Sequence, residues 1–471
     1  MKSKDFIKQR NVDKLTLKEL YNLDDLNLKK FSKFGKINLL SLVIVQMQAY
    51  LSSSIINKKT KPYDKFVNFP FANSRYLNKN LQFHEKVNKK LFKMNVQKIK
   101  TAIRSFVPFA NISTLNVFSD VYEDIKKELN KNFIIRKTAR FIPIHINSID
   151  EQIKILDEYL KSFAKKNNIK NTSYSENFIK YIKPYFSYEK FKIDNSHFLF
   201  VGTNSNLENR VTSANYLLNK RTVISFNHAN YNTLIIDEPH QEYAEHVFCD
   251  YYIDYGSIKK NKKLLKSNYL APKKIINLSN PKLVAALPKK RVLNNYIIYV
   301  PDSFHGDKRH GPYREMDDKK YYKFQKKLIS SKKNILIKLH PKGKNFSQVA
   351  SGKDLKYYSK KIINKKLSNI INDYPLFVTD RISQAFFDIA RGQSKILYFN
   401  IGRRKIHKEF IKEVKKRAYI VNVDPYSITQ KNFVYHIKRA LNFNIKKSKI
   451  MEIACIKKKK KKEKFFDIFK T

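Results

Sequence analysis

The chain has 471 residues, 42% of them hydrophobic and 13% aromatic, enough to core two domains of roughly 100–200 residues each. Lys and Arg number 96 against 40 Asp and Glu, a net charge of +56, so the expected partners are anionic: nucleic acid, a membrane surface or phosphorylated substrates. No two of the nine glycines are separated by a single residue, which excludes a GxGxxG dinucleotide fingerprint, and two cysteines without a CxxC companion exclude a zinc ribbon or a disulfide framework.

In chain order, the N-terminus is charged and lacks the apolar core of a signal peptide, which fits a reducing cytoplasm. Ile37 to Ile56 is the most apolar stretch, but Asn38, Gln46, Gln48 and a serine run interrupt it, so it reads as a buried or amphipathic helix and not a membrane span. The first part of the chain reads as mainly helical, with a strand at Phe66 to Phe71.

Short β-branched and aromatic runs then alternate with helix-length segments, the pattern of parallel βαβ units. The expected strands are Asn132–Arg136, Phe198–Gly202, Thr222–Phe226, Tyr251–Asp254, Tyr296–Val300, Asn334–Leu339, Leu376–Thr379, Lys395–Phe399 and Tyr419–Val423. The expected helices are Asn206–Asn219, Asp317–Ser330, Asp354–Ile371, Ser383–Ala390 and Ile406–Arg417. Pro272, Pro281 and Pro288 punctuate Leu270–Arg291, which reads as an interdomain linker. Residues 1–285 are therefore expected to form one domain, 286–445 a second and 446–471 a basic tail. In that tail Lys457–Lys462 precede Phe465, Phe466, Ile468 and Phe469, a composition that suits an anionic leaflet as well as a solvated tail.

Ligands of open α/β sheets bind beyond the carboxyl ends of the strands, so function is sought there. His228 follows one strand and can act as a base toward an acceptor hydroxyl. His340, flanked by Lys338 and Lys342, ends another and offers donors and positive charge to a phosphate. Asp380 and Ser383 occupy a strand-to-helix junction, where they serve either as ordinary helix caps or as contacts to a phosphate or ribose. Arg309 and Arg314 lie in a loop after a strand, where a guanidinium can clamp a diphosphate. Gly306 and Gly311 have the spacing of a Walker A loop, but Pro312 and Tyr313 stand where Lys and Ser or Thr are required. His305 with His310, and His240, Glu242, Glu245 and His246, show no HExxH-like spacing, so no metal is expected.

Ile335-Leu-Ile-Lys-Leu-His-Pro341, then Phe377-Val-Thr-Asp-Arg-Ile-Ser-Gln-Ala-Phe-Phe-Asp388 and Lys395-Ile-Leu-Tyr-Phe399, resemble the C-terminal half of the CDP-glycerol glycerophosphotransferases and related capsule and surface-polysaccharide transferases. Ser225-Phe-Asn-His-Ala229 is similar to their N-terminal "HG" strand end, with Ala229 in place of the glycine. Arg381 and Ile382 stand where that family has Tyr and Ser.

The resemblance implies an α/β GT-B fold, two Rossmann-like domains with parallel sheets facing a central cleft. It also implies metal-independent transfer of a sugar or polyol-phosphate, with no cofactor, from a nucleotide-activated donor to a surface glycan or lipid-linked acceptor. In that mapping His228 is the acceptor base and His340 stabilises the donor phosphates. Asp380 and Ser383 match the nucleotide-side loop, and Lys338, Arg309 and Arg381, read from their own positions and not from the resemblance, are expected on the donor side as well. The expected location is the cytoplasm or the inner face of the membrane. Two alternatives are a basic nucleic-acid-binding protein, which would show sequence-selective binding at physiological salt, and an inactive GT-B scaffold, which would bind no nucleotide donor.

Overall fold

The computed structural model describes residues 18–59, 111–137 except 116 and 118, 142–191, 193, 196–227 except 205 and 206, 245–254, 272–284, 295–301, 318–339, 359–402, 406–454 and 465–469. The expected strand Phe66–Phe71 lies outside them.

Two sheets organise the chain. The first contains β1 (Asn111–Leu115), β2 (Ile134–Lys137), β5 (Phe198–Val201), β6 (Thr222–Phe226), β7 (Tyr251–Asp254) and β8 (Lys274–Asn277), all parallel, in the order β2-β1-β5-β6-β7-β8. A separate parallel pair, β3 (Ile144–His145) and β4 (Phe186–Ser187), falls between β2 and β5 in sequence. The second sheet contains β9 (Ile297–Val300), β10 (Ile335–Ile337), β11 (Leu376–Thr379), β12 (Lys395–Asn400) and β13 (Tyr419–Asn422), again all parallel, in the order β10-β9-β11-β12-β13. The expected α/β class, with two Rossmann-like parallel sheets, is therefore present. Parallel sheets are covered on both faces, which explains why runs such as Phe198–Val201 and Leu376–Thr379 read as nearly continuous apolar sequence.

Helix α1 (Leu39–Lys59) is the apolar stretch singled out in the sequence. Leu39, Leu40, Leu42, Val43, Ile44, Val45 and Met47 are each no more than 1% exposed, as in a helix covered all round by protein. None of the helices among the described residues is long and apolar enough to cross a membrane. Two buried amides fix the start of the helix: Asn38 Oδ1 accepts from Ser41 N at 2.8 Å, and Gln152 Oε1 accepts from Leu39 N at 2.7 Å. Helix α2 (Asp120–Leu129) packs against the first sheet, whereas α3 (Ile149–Lys166) and α4 (Tyr174–Ile182) share one core with α1. Helix α5 (Leu207–Leu218) carries the fully buried Arg210, which donates to Ser41 O at 2.6 Å, Leu42 O at 2.8 Å and Asn204 O at 3.2 Å.

The second sheet is covered by α6 (Asp318–Ser330) and α9 (Gln430–Leu441) on one face, and by α7 (Gln384–Ala390), α8 (Lys408–Arg417) and α10 (Ile450–Ala454) on the other. Thr429 caps α9 through a reciprocal pair, Asn432 N to Thr429 Oγ1 at 3.2 Å and Thr429 N to Asn432 Oδ1 at 3.1 Å. Thr429→Ala is expected to cost about 1 kcal/mol, read as a lowered midpoint of denaturant unfolding at unchanged slope.

Three expectations are corrected. The segment Leu270–Arg291 is not simply a linker, because it contains the edge strand β8 and the helical turn Pro281–Val284. Lys274 and Ile275 of β8 are exposed and Ile276 alone is buried, so the strand was hidden by the lysine-rich composition that suits an edge. The helix expected over Asp354–Ile371 is replaced, in its described part, by 3-10 turns at Ser359–Lys361 and Leu367–Asn369. Between them Ile362 bridges Ile337 at the edge of β10, and Ile363 N donates to Ile337 O at 2.9 Å.

The third correction concerns the tail. Its phenylalanines are not free to enter a membrane: Phe465 is fully buried and Ile468 is 6% exposed, in one cluster with Phe200, Ile224, Phe226 and Ile253 of the first sheet. Phe469 lies 4.7 Å from Phe198 and 5.2 Å from Phe133 between ring centroids. Ile450, by contrast, packs among Phe386, Phe387 and Phe410 beneath the second sheet. The C-terminal segment thus leaves one core and ends in the other, and Lys457–Lys462 between them lie outside the described residues.

Candidate functional site at the carboxyl edge of the second sheet

In the second sheet the chain passes from β9 to β10 on one side and then returns to β11 on the other side of β9. That reversal makes the carboxyl ends of β9 and β11 a topological switch point, the place where doubly wound sheets take their ligands. The register aligns Ile337, Tyr299 and Val378, so Lys338, Val300 and Thr379 form the next row and Asp380 follows it. Side chains alternate along each strand. Tyr299, Ile337 and Val378 enter one core cluster, and Ile298 and Phe377 enter the other, so Lys338 and Thr379 share the second face.

Lys338 is 9% exposed. Its backbone N–H donates to Tyr299 O at 2.8 Å and its Nζ reaches only the neighbouring Leu339 O at 3.1 Å, with no carboxylate paired to it among the described residues. Burial holds its ammonium pKa below the ordinary value of 10.5, because the charged form is poorly solvated. With the folded value depressed, the unfolded chain binds more protons between the two values. The destabilisation from Lys338 is therefore present at lower pH and fades as pH rises through the folded value toward 10.5. The stability gap between wild type and Lys338→Met is expected to narrow over that window in pH-dependent denaturant unfolding.

Two further polar atoms are stranded at the end of β11 and the start of α7. Thr379 Oγ1, on a residue 2% exposed at the end of β11, and Gln384 Nε2, in the first turn of α7, are buried with no hydrogen-bond partner. A buried cation without a counter-ion and orphaned donor and acceptor groups are costly, and a bound polar anion would relieve the cost.

Asp380 is placed differently. It is 2% exposed, and its Oδ2 accepts a 2.5 Å hydrogen bond from Tyr299 OH on the opposite face from Lys338. Ser383 is the N-cap of α7, but its side chain makes no capping hydrogen bond, and Arg381 is half-buried between them. The structure therefore gathers Lys338, Asp380, Arg381 and Ser383 at one sheet edge, with Lys338 and Asp380 aimed to opposite faces. Tyr299, Thr379 and Gln384 were not singled out in the sequence. An aromatic within a strand reads as core, and only the strand order places Tyr299 beside Asp380.

At the first sheet, the carboxyl ends of β6 and β7 carry a buried polar ladder. Asn227 Nδ2 donates to Asp254 Oδ1 at 2.8 Å, and Asn227 N donates to Ile253 O at 2.9 Å. Tyr252 OH donates to Glu245 Oε2 at 2.7 Å, and Ser225 Oγ donates to Glu245 O at 3.1 Å. These bonds fix β6 up to Asn227, the residue before His228. His228, His340 and Arg309 themselves lie outside the described residues.

No family model matches the chain, and no curated protein matches it. Among solved structures it is similar to a putative UDP-N-acetylglucosamine 2-epimerase from Listeria monocytogenes, at 10% identity and a TM-score of 0.36, covering 71% of this chain and 88% of that one. It is similar to MurG of Acinetobacter baumannii at 7% identity and a TM-score of 0.35, covering 77% of this chain and 99% of that one. It is also similar to the wall teichoic acid polymerase TagF at 11% identity and a TM-score of 0.31, covering 74% of this chain and 87% of that one.

Proposed function

We propose that the protein is a transferase of GT-B type that moves a sugar or polyol-phosphate from a nucleotide-activated donor to a surface glycan or lipid-linked acceptor, without a metal or other cofactor. The observation that carries this reading is the buried Lys338, with no carboxylate paired to it among the described residues, on the same sheet face and in the same row as the orphaned Thr379 Oγ1, one strand away across β9. A nucleoside diphosphate supplies what that edge lacks: phosphate oxygens for the ammonium and hydroxyl or base groups for the neutral side chains.

In the proposed chemistry His228 takes the proton from the acceptor hydroxyl as its oxygen bonds to the transferred group. The bond to the nucleotide phosphate breaks, and its electron pair leaves on the phosphate oxygen. Lys338, His340 and Arg309 offset the charge that develops there. Asp380, held by Tyr299, shapes the junction that presents Arg381 and Ser383 to the nucleotide. The cytoplasmic side of the membrane, where nucleotide-activated donors are made, is the proposed site of action.

A thermal-shift series with CDP-glycerol, CMP-, UDP- and GDP-sugars tests the reading. One nucleotide class at about 100 times its dissociation constant is expected to stabilise the fold by about 2.7 kcal/mol. His228→Ala is expected to keep that shift and lose turnover. The absence of a shift with every class would overturn the donor site and favour the scaffold or nucleic-acid readings.

A further inference from the structure

Positive charge is general in this chain, but the fold does not spread it evenly. Helices α6 and α9 lie side by side on one face of the second sheet. Phe324 and Phe433 meet there with ring centroids 5.4 Å apart, and Lys327 Nζ donates to Ile428 O at 3.1 Å, next to the cap of α9. Together the two helices carry eight Lys and Arg against one carboxylate, Asp318 at the first position of α6. Other helices are balanced or acidic: α3 has four lysines and four carboxylates, and α2 has two lysines and four carboxylates.

Phe324 and Phe433 point into the core, which turns a basic stripe outward. On α9, Lys431, Tyr435, Lys438 and Arg439 are exposed at one-turn spacing, and on α6 Lys323 and Lys326 are exposed. None of these five cations forms an ion pair among the described residues. Asp424, the carboxylate nearest to α9 in sequence, is half-buried and accepts from Tyr426 N at 3.0 Å. Glu315 and Asp317, which precede α6, lie outside the described residues. At the centre of the α9 stripe the Tyr435 ring is 54% exposed, with the Arg439 guanidinium 6.0 Å from its centre.

Cations without counter-ions fit a polymer of repeated negative charge, and an exposed phenol beside a guanidinium fits a flat group that stacks on it. Single-stranded nucleic acid supplies both, through its phosphates and its unpaired bases. An acidic peptide supplies the charge without the bases. We propose that the outer face of α6 and α9 binds single-stranded nucleic acid, with phosphates on the lysines and a base on Tyr435. The inference goes beyond the transferase reading and does not depend on it, since the donor edge at the carboxyl ends of β9 and β11 shares no residue with this face.

A chain of net charge +56 holds any polyanion at low salt, so the experiment compares faces and backbones. Anisotropy of labelled oligothymidylate and oligouridylate of about 16 nucleotides is measured with the full-length protein from low salt to about 0.15 M. Lys431→Gln/Lys438→Gln is expected to lower the slope of log affinity against log salt by about 1.4, because each phosphate contact on a single strand contributes about 0.7. Lys412→Gln/Lys415→Gln, the same charge change on α8 across the sheet, is expected to leave the slope as it is. Tyr435→Ser is expected to weaken binding at least about fivefold, with Tyr435→Phe restoring it and neither affecting an abasic strand of equal length. The tighter strand identifies RNA or DNA as the ligand. Each variant is expected to melt with the wild type, since the substituted side chains are all exposed.

Equal effects of the two lysine pairs would overturn the proposal, because binding would then be spread over the whole surface. So would a Tyr435→Ser variant that binds as the wild type does, or that loses the abasic strand to the same degree. Loss of phosphatidylglycerol-vesicle binding in Lys431→Gln/Lys438→Gln, with oligonucleotide binding unchanged, would make the face a lipid contact and overturn it as well. No sugar nucleotide or turnover enters these measurements, so their failure is separate from failure of the nucleotide series.

Discussion

Phe465→Ala is expected to destabilise the protein by about 3–5 kcal/mol, the range for truncating a fully buried phenylalanine. The ring is wholly buried, with Phe200 and Phe226 each 6.4 Å away between centroids, and with Phe466 and Phe469 at 5.5 and 5.4 Å. Its partners belong to β5, β6 and the C-terminal turn, so the lost contacts span the chain from its first sheet to its end. A cavity there cannot collapse easily, because the sheet beneath is held on both sides by strand pairing. Denaturant unfolding gives the size of the effect. A lipid-inserting tail would give the opposite pattern, with stability unchanged and vesicle binding lost.

Lys338→Met is expected to weaken the nucleotide donor by about 10- to 100-fold, as loss of a charge-assisted hydrogen bond of about 1.5–3 kcal/mol does. The same substitution is expected to leave the empty protein as stable as before or more stable. A methionine of similar length fills the space without a charge to desolvate, and no carboxylate is left behind because none is paired with Lys338 among the described residues. Opposite signs on stability and affinity mark a residue kept for a ligand. Thermal melts with and without donor measure both at once. A large loss of stability with donor affinity unchanged would instead make Lys338 a structural residue and remove it from the site.

The two predictions differ in how visible their residues were. Lys338 was legible because a cation between apolar residues, followed by His340-Pro341, breaks the pattern of a buried strand. Phe465 was misread, since a short aromatic cluster after six lysines has the composition of a membrane-surface tail and nothing local shows that a hydrophobic pocket awaits it. The strands of the second sheet were legible from their continuous apolar runs. In the first sheet β1 was not, since Asn111, Ser113 and Thr114 dilute its apolar residues; Ser113 tolerates full burial through a 2.7 Å hydrogen bond to Ser196, far along the chain.

By itself the sequence determined the alternation of strands and helices, the exclusion of a dinucleotide fingerprint and a P-loop, and the strand ends worth searching, because these depend on residue type and local period. The tertiary structure decided which of those ends are neighbours. It placed β9 between β10 and β11, turned Lys338 and Asp380 to opposite faces and gave Asp380 to Tyr299. It also sent the C-terminal phenylalanines into the first core. Strand order and burial arise from contacts between distant segments, and their energies depend on what the fold brings alongside a residue, which no short window of sequence contains.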